Sequence, residues 1–132
     1  MSNGLSAYKS VGVQSAIEDA PPHRLIQMLL DGAISKVAIA RAAMERGETA
    51  TKGKHISWAI SIIDGLMGSL DKSKGGPVAQ NLAALYGYMH QQLLSANLNN
   101  DLGKLDEVSR LLGQIREGWA GIAPEAAQRQ PA

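Results

Sequence analysis

Apolar side chains recur along this chain at intervals of three and four residues, in four blocks separated by glycine, proline and asparagine. That interval marks one face of a helix, not the two-residue alternation of a strand. In the first block, from about Pro21 to Arg46, Ile26, Leu29, Leu30, Ala33, Val37, Ala40 and Met44 share a face. Its polar stripe of Gln27, Asp31 and Ser35 is narrow, so this helix is expected to touch neighbours on more than one side. Asp19 or Ala20 opens it, Pro21 and Pro22 suit a first turn whose N–H groups have no partner, and Gly47 ends it.

The second block, from about Thr51 to Leu70, carries a seam of Ile56, Ala59, Ile60, Ile63, Leu66, Met67 and Leu70, with Trp58 and Ile62 partly off it. Lys74-Gly75-Gly76-Pro77 then reads as a stop and restart. The third block, Pro77 to about Leu98, turns Val78, Leu82, Leu85, Met89, Leu93 and Ala96 one way, with Tyr86, His90, Leu94 and Asn97 in a neighbouring stripe. Asn99 and Asn100 are turn residues and Asp101 is a natural N-cap. The fourth block, Leu102 to about Trp119, has Leu105, Val108, Leu112, Ile115 and Trp119 as its seam.

Short connections place successive helices antiparallel, and blocks of about 20 residues make rods of roughly 30 Å. The pattern therefore predicts an all-α, antiparallel up-down four-helix bundle over residues 21–122. It is preceded by a short N-terminal arm, 1–20, containing Leu5, Tyr8, Val11, Val13 and Ile17. A flexible tail, 123–132, with Pro124, Gln128, Arg129, Gln130 and Pro131, is expected to be disordered. With 132 residues, 45% of them apolar, the chain can bury a core without disulfides or metal. Phe is absent, so that core must be aliphatic with Trp and Tyr as accents.

Composition narrows the chemistry further. Thirteen basic against twelve acidic residues leave a net charge of +1, too weak a pull for a nucleic acid or for an anionic membrane surface. The absence of cysteine removes thiol catalysis and thiolate metal sites, and fits a reducing, cytoplasmic setting. The start of the chain lacks the basic-then-apolar run of a secretory signal, and no stretch is long and apolar enough to span a membrane. His23, His55 and His90 form no HExxH or HxxxH pair, and neither a GxSxG elbow nor a phosphate-cradling loop occurs. Asp106 and Glu107 are adjacent on a helix and point apart, which does not suit paired acid–base work. No cofactor, metal or catalytic residue is therefore expected. A histidine phosphotransfer bundle is the competing class. It is disfavoured because His90 is followed by Gln91-Gln92-Leu93 and His55 by Ile56-Ser57-Trp58, neither resembling a phosphorelay sequence. A helical adaptor for some other client is the third reading.

The third block carries a resemblance to a known family. Leu70-Asp71, Gly75-Gly76, Asn81-Leu82, Leu85-Tyr86, Tyr88-Met89, Leu93 and Ala96-Asn97 follow one another as in the FliS family of flagellar export chaperones. The likeness extends back through Pro22-His23-Arg24-Leu25-Ile26-Gln27-Met28-Leu29-Leu30-Asp31-Gly32-Ala33 to Tyr8. It extends forward through Leu105, Glu107-Val108 and Leu111-Leu112 to Trp119. Leu30 stands where many members carry a tyrosine. The resemblance implies a helical bundle in the cytoplasm that binds the C-terminal segment of flagellin, blocks premature polymerisation and helps deliver flagellin to the export gate. It leaves room for a weak homodimer.

A disordered client of amphipathic character folds as helices into apolar grooves and needs a large area to offset its ordering entropy. The surplus apolar and amide positions of the chain are the candidates for that contact: Tyr8, Val13, Ile17, Trp58, Ile62, Asn81, Leu85, Tyr86, Met89, Leu93, Leu94 and Asn97. Several have a plainer role open to them, Leu85, Met89 and Leu93 as core, Asn81 and Asn97 as loop caps. Trp119 reads as a plug at one bundle end. The arm either lies in the client groove when it is empty or simply caps the bundle. Deleting residues 1–16 separates the two: an occupant of the groove predicts unchanged or tighter flagellin binding and a less soluble free protein, measured by titration calorimetry and sedimentation.

Overall fold

The computed structural model describes residues 20–122, without the side chains of residues 72–74. The arm positions Tyr8, Val13 and Ile17 and the tail 123–132 lie outside the described residues. Four helices follow one another, α1 Pro22–Glu45, α2 Thr49–Gly68, α3 Lys72–Asn99 and α4 Leu102–Ala120, with no strand among the described residues. The principal contacts join α1 to α2, α2 to α3, α3 to α4 and α4 back to α1, closing a ring around one core. Cross-links confirm the antiparallel order, since partner numbers fall on one helix as they rise on the other. Between α1 and α4, Asp31 pairs with Arg116 and Arg41 with Asp106. Between α2 and α3, Lys52 meets Asn97 and Asp64 meets His90.

The core is the aliphatic one that the composition demands. Leu30, Val37, Ile56, Ile62, Ile63, Leu66, Met89, Leu93, Leu105, Val108 and Leu112 are all essentially without exposed surface. Each such large side chain contributes roughly 1.5–3 kcal/mol by leaving water. Alanines at 33, 40, 59 and 96 lie between them and let the helices approach.

Boundaries shift where turn chemistry, not periodicity, decides them. Pro21 itself is the N-cap of α1, in extended conformation, and Pro22 occupies its first position. Gly47 takes a left-handed φ of 71° after α1, so the chain turns at once and α2 begins at Thr49, two residues before the seam suggests. A helical turn, Lys72–Gly75, precedes the expected restart. The break falls at Gly76, whose φ of 61° and ψ of −141° suit glycine alone, and Pro77 opens the long part of α3. Asn100 has a left-handed φ of 52°, which asparagine tolerates, and Asp101 accepts from the Lys104 backbone N–H at 3.2 Å to cap α4.

Lys52 is the charged residue that the seam does not account for. It stands one turn before Ile56 on the buried face of α2 and is only 5% exposed. Its Nζ donates to the carbonyl of Asn97 at 2.9 Å and to Oδ1 of Asn100 at 2.6 Å, so it caps the C-terminal end of α3 and fixes the following turn. A cation there also complements the negative end of the helix dipole. Replacing it, Lys52→Ala, is expected to lower unfolding free energy by about 2 kcal/mol, the scale of charge-assisted hydrogen bonds. Urea denaturation followed by circular dichroism reads this directly.

Candidate functional site

The first turns of α1 and α3 and the last turns of α2 and α4 all lie at the same end of the bundle. The apolar seams run out to that end, and no helix among the described residues crosses it. Between them lies a cavity of about 270 Å³. Ile26 and Leu30 line it from α1, Leu66 and Ser69 from the end of α2, and Val78, Leu82 and Tyr86 from α3. Ile115, Gly118, Trp119 and Ile122 close the remaining side. Its wall is almost wholly hydrocarbon and aromatic. Val78 is 69% exposed although it faces this apolar space, so its side chain overhangs the mouth.

Trp119 is held in place by a reciprocal pair of bonds to the start of α1. Its indole Nε1 donates to the carbonyl of His23 at 2.8 Å, and His23 Nε2 donates to the carbonyl of Trp119 at 2.9 Å. The two rings stack, with centroids 5.1 Å apart and 15° between planes. Because Nε2 faces a carbonyl, it must carry the hydrogen. His23 is buried and Trp119 half-buried, so the pair both satisfies polar groups and walls the cavity. Tyr86, 3% exposed, has its phenol pushed up to about 12 by burial.

The outer flank of α3 and α4 is a polar seam. Tyr88 Oη donates to both carboxylate oxygens of Glu107 at 2.9 Å, and Gln92 Nε2 donates to Oε1 at 2.9 Å. Gln92 and Tyr88 hold the Glu107 carboxyl below its ordinary range. Nearby, Lys104 Nζ donates to Ser95 Oγ at 2.6 Å. Leu94, 46% exposed, and Leu98, 82% exposed, remain in solvent on the same stretch of α3.

Of the nine candidate contact residues within the described chain, the cavity takes Tyr86 alone. Ile62, Met89 and Leu93 are wholly buried in the core and present no surface to a partner, because α2 and α3 are each flanked on two sides. Leu85 is half-buried, and Asn81 is exposed away from the cavity. Leu94 lies on the outer flank. Asn97 is half-buried with its amide 4.0 Å from where a side chain on Gly53 would begin, at the α2–α3 contact. Trp58 is half-buried near α1, with Lys36 Nζ 3.8 Å from its ring centroid and its indole nitrogen buried without a hydrogen-bond partner among the described residues. His90, weighed as a phosphorelay residue, donates from Nδ1 to Asp64 Oδ1 at 2.8 Å. Among the described residues no group of His, Asp or Glu gathers as metal ligands would, and no helix is long and apolar enough to cross a membrane.

The residues that line the cavity were mostly expected to be core. Their signal was positional: Ile26, Leu66, Leu82 and Ile115 are seam residues near one common bundle end.

Comparison with known proteins bears on this geometry. The sequence profile of the family described as flagellar protein FliS matches residues 4–126. The chain is 48% identical over 126 residues to the flagellar secretion chaperone FliS of Salmonella typhimurium, covering 95% of this chain and 93% of that one. It is 46% identical over 119 residues to the flagellar secretion chaperone FliSB of Pseudomonas aeruginosa, covering 90% and 94%. At greater distance, the FliS chaperone of Bacillus subtilis is 29% identical over 117 residues, covering 89% and 84%.

The raised Tyr86 phenol has a measurable consequence. A group whose folded pKa lies above its unfolded value near 10 contributes stability that is complete below pH 10. That contribution is lost as pH rises from about 10 towards about 12. Thermal melts between pH 9 and 11.5 should therefore fall more steeply for the native chain than for Tyr86→Phe.

Proposed function

The chain belongs to the FliS family of flagellar proteins, and from that membership we propose that it is a chaperone that holds the C-terminal segment of flagellin before export. In this reading it works in the cytoplasm, keeps the client from polymerising and helps present it to the export apparatus. It performs no reaction. The observation that carries the reading is the apolar cavity at the end of the bundle, with Val78 exposed at its mouth. Large unpartnered apolar surface on a protein of this size favours a partner.

The chemistry of the cavity suits a helix with one apolar face. Its lining offers almost no hydrogen-bonding groups, so it cannot satisfy an extended backbone. A helix satisfies its own N–H and C=O groups and needs from its receptor only apolar contact. The client would insert side chains between Val78, Leu82 and Tyr86 on one side and Ile115 and Trp119 on the other. Leu94 and Leu98, exposed near the far end of α3 roughly 24–30 Å from Val78, would be a separate apolar patch for a long client. Trp58, Asn81, Leu85 and Asn97 are secondary contacts in this scheme.

The discriminating experiment compares full-length flagellin with flagellin lacking its C-terminal segment in a pull-down by the native chain. Only the full-length form should be retained, and equal retention of both would defeat the reading. Val78→Glu places a charge at the mouth on a residue the core does not need. It should weaken full-length flagellin binding about tenfold or more, equivalent to about 1.4 kcal/mol, with an unchanged melting temperature.

A further inference from the structure

The last two turns of α4 are held differently from the rest of that helix. As far as Leu112, α4 is anchored by Leu105, Val108 and Leu112, each with no exposed surface. Beyond Leu112 no side chain of α4 is fully buried. Ile115 and Trp119 are half-buried, and the space beneath them is the cavity. Ile115 and Trp119 pack against the edge of the core, and polar pairs to α1 complete the hold on this segment. Arg116 pairs with Asp31, both side chains about half-exposed, and Trp119 exchanges its two bonds with His23.

Gly113 stands at the junction of these two halves. A methyl group added there would meet nothing within 4 Å, and its φ lies outside the left-handed region. Neither space nor backbone conformation requires glycine at this point. Its effect is to weaken the helix, since glycine is a poorer helix former than alanine. A segment with few buried contacts and a weak helical joint opens at a lower free energy than the whole fold.

We propose that residues 113–122 form a hinged lid over the cavity, with Gly113 as the hinge and the His23–Trp119 pair as the latch. The lid swings away to admit a guest helix and lays Ile115 and Trp119 against it on closing. The identity of the guest rests on the function proposed above; the lid does not. Access follows the open population, so strengthening the hinge slows entry and weakens apparent affinity. Asp31 and Arg116 add an exposed tie whose contribution falls with salt.

Amide hydrogen exchange on the free, full-length protein tests the lid, and flagellin association kinetics test its gating. In the native chain, amides 114–121 should exchange roughly a hundredfold faster than those of 104–112. Gly113→Ala should slow exchange in 114–121 about fivefold, the factor expected from helix propensity, and slow flagellin association by a similar factor without lowering the melting temperature. Trp119→Phe removes the indole donor and should speed exchange in that segment while 104–112 is unaffected. Uniform protection along α4 would overturn the proposal. So would a Gly113→Ala chain that protects 114–121 yet binds flagellin at the native rate. Failure of every form to bind flagellin would instead count against the proposed function, with the exchange pattern still deciding the lid.

Discussion

Connections of two or three residues tie four apolar seams into a single register, and the rest of the molecule follows from that constraint. Residues 46–48, 69–71 and 100–101 are all that separate the helices. With so little slack, each helix must start level with the end of the one before it. The seams then meet along their whole length, and the ends of the bundle are two flat faces with different chemistry.

The face containing the α3–α4 turn is closed by polar groups. Lys52 caps α3, Asp101 caps α4, and Arg46 pairs with Glu48 in the turn between α1 and α2. Among the described residues the opposite face has no such closure. There the α2–α3 connection ends in the Lys72–Gly75 turn and the Gly76 break, and Val78 is left at the rim. Among the described residues the polar fastenings on that side are the His23–Trp119 pair and, further in, Asp31–Arg116; both join α1 to α4 and leave the gap towards α3 unspanned. Burial would favour filling this gap, since each exposed apolar side chain forgoes of the order of 1 kcal/mol or more. The fold does without that stabilisation at one end and retains it through the middle, where Val37, Ile56, Ile63, Met89, Leu93, Leu105, Val108 and Leu112 are enclosed.

The sequence carried the helices and the core because both depend on local periodicity. Ile56, Ala59, Ile63 and Leu66 could be placed on one buried face from spacing alone, and they are buried. Ile62 could not be, because a helix flanked on two sides buries more than one stripe; a side chain off the main seam of α2 meets α1 or α3 instead of water. Lys52 shows the converse. It occupies a seam position, and its burial depends on carbonyl and amide oxygens 45 and 48 residues further along the chain. No window of local sequence contains both partners. The cavity was hidden for the same reason. Ile26, Leu82 and Ile115 have the spacing of core residues, and only their height in the assembled bundle leaves them partly buried beside a gap. Trp119 was legible as a residue at a bundle end, but its bonds to His23 span 96 residues and belong to the tertiary structure.

An uncapped end joined to a closed middle reconciles two demands that conflict in a small domain. In the function proposed above, apolar surface has to be available before the guest arrives, yet exposure along the bundle would weaken the very packing that keeps it folded. Confining the exposure to one end leaves Val37, Ile63, Met89, Leu93 and Leu112 enclosed whatever happens at the rim. It also means that movement at the rim disturbs only the outermost turns, above the last enclosed residue of α4. Stability and access are therefore set by different residues, the first by the aliphatic layers at mid-height and the second by the few side chains around Val78 and Trp119.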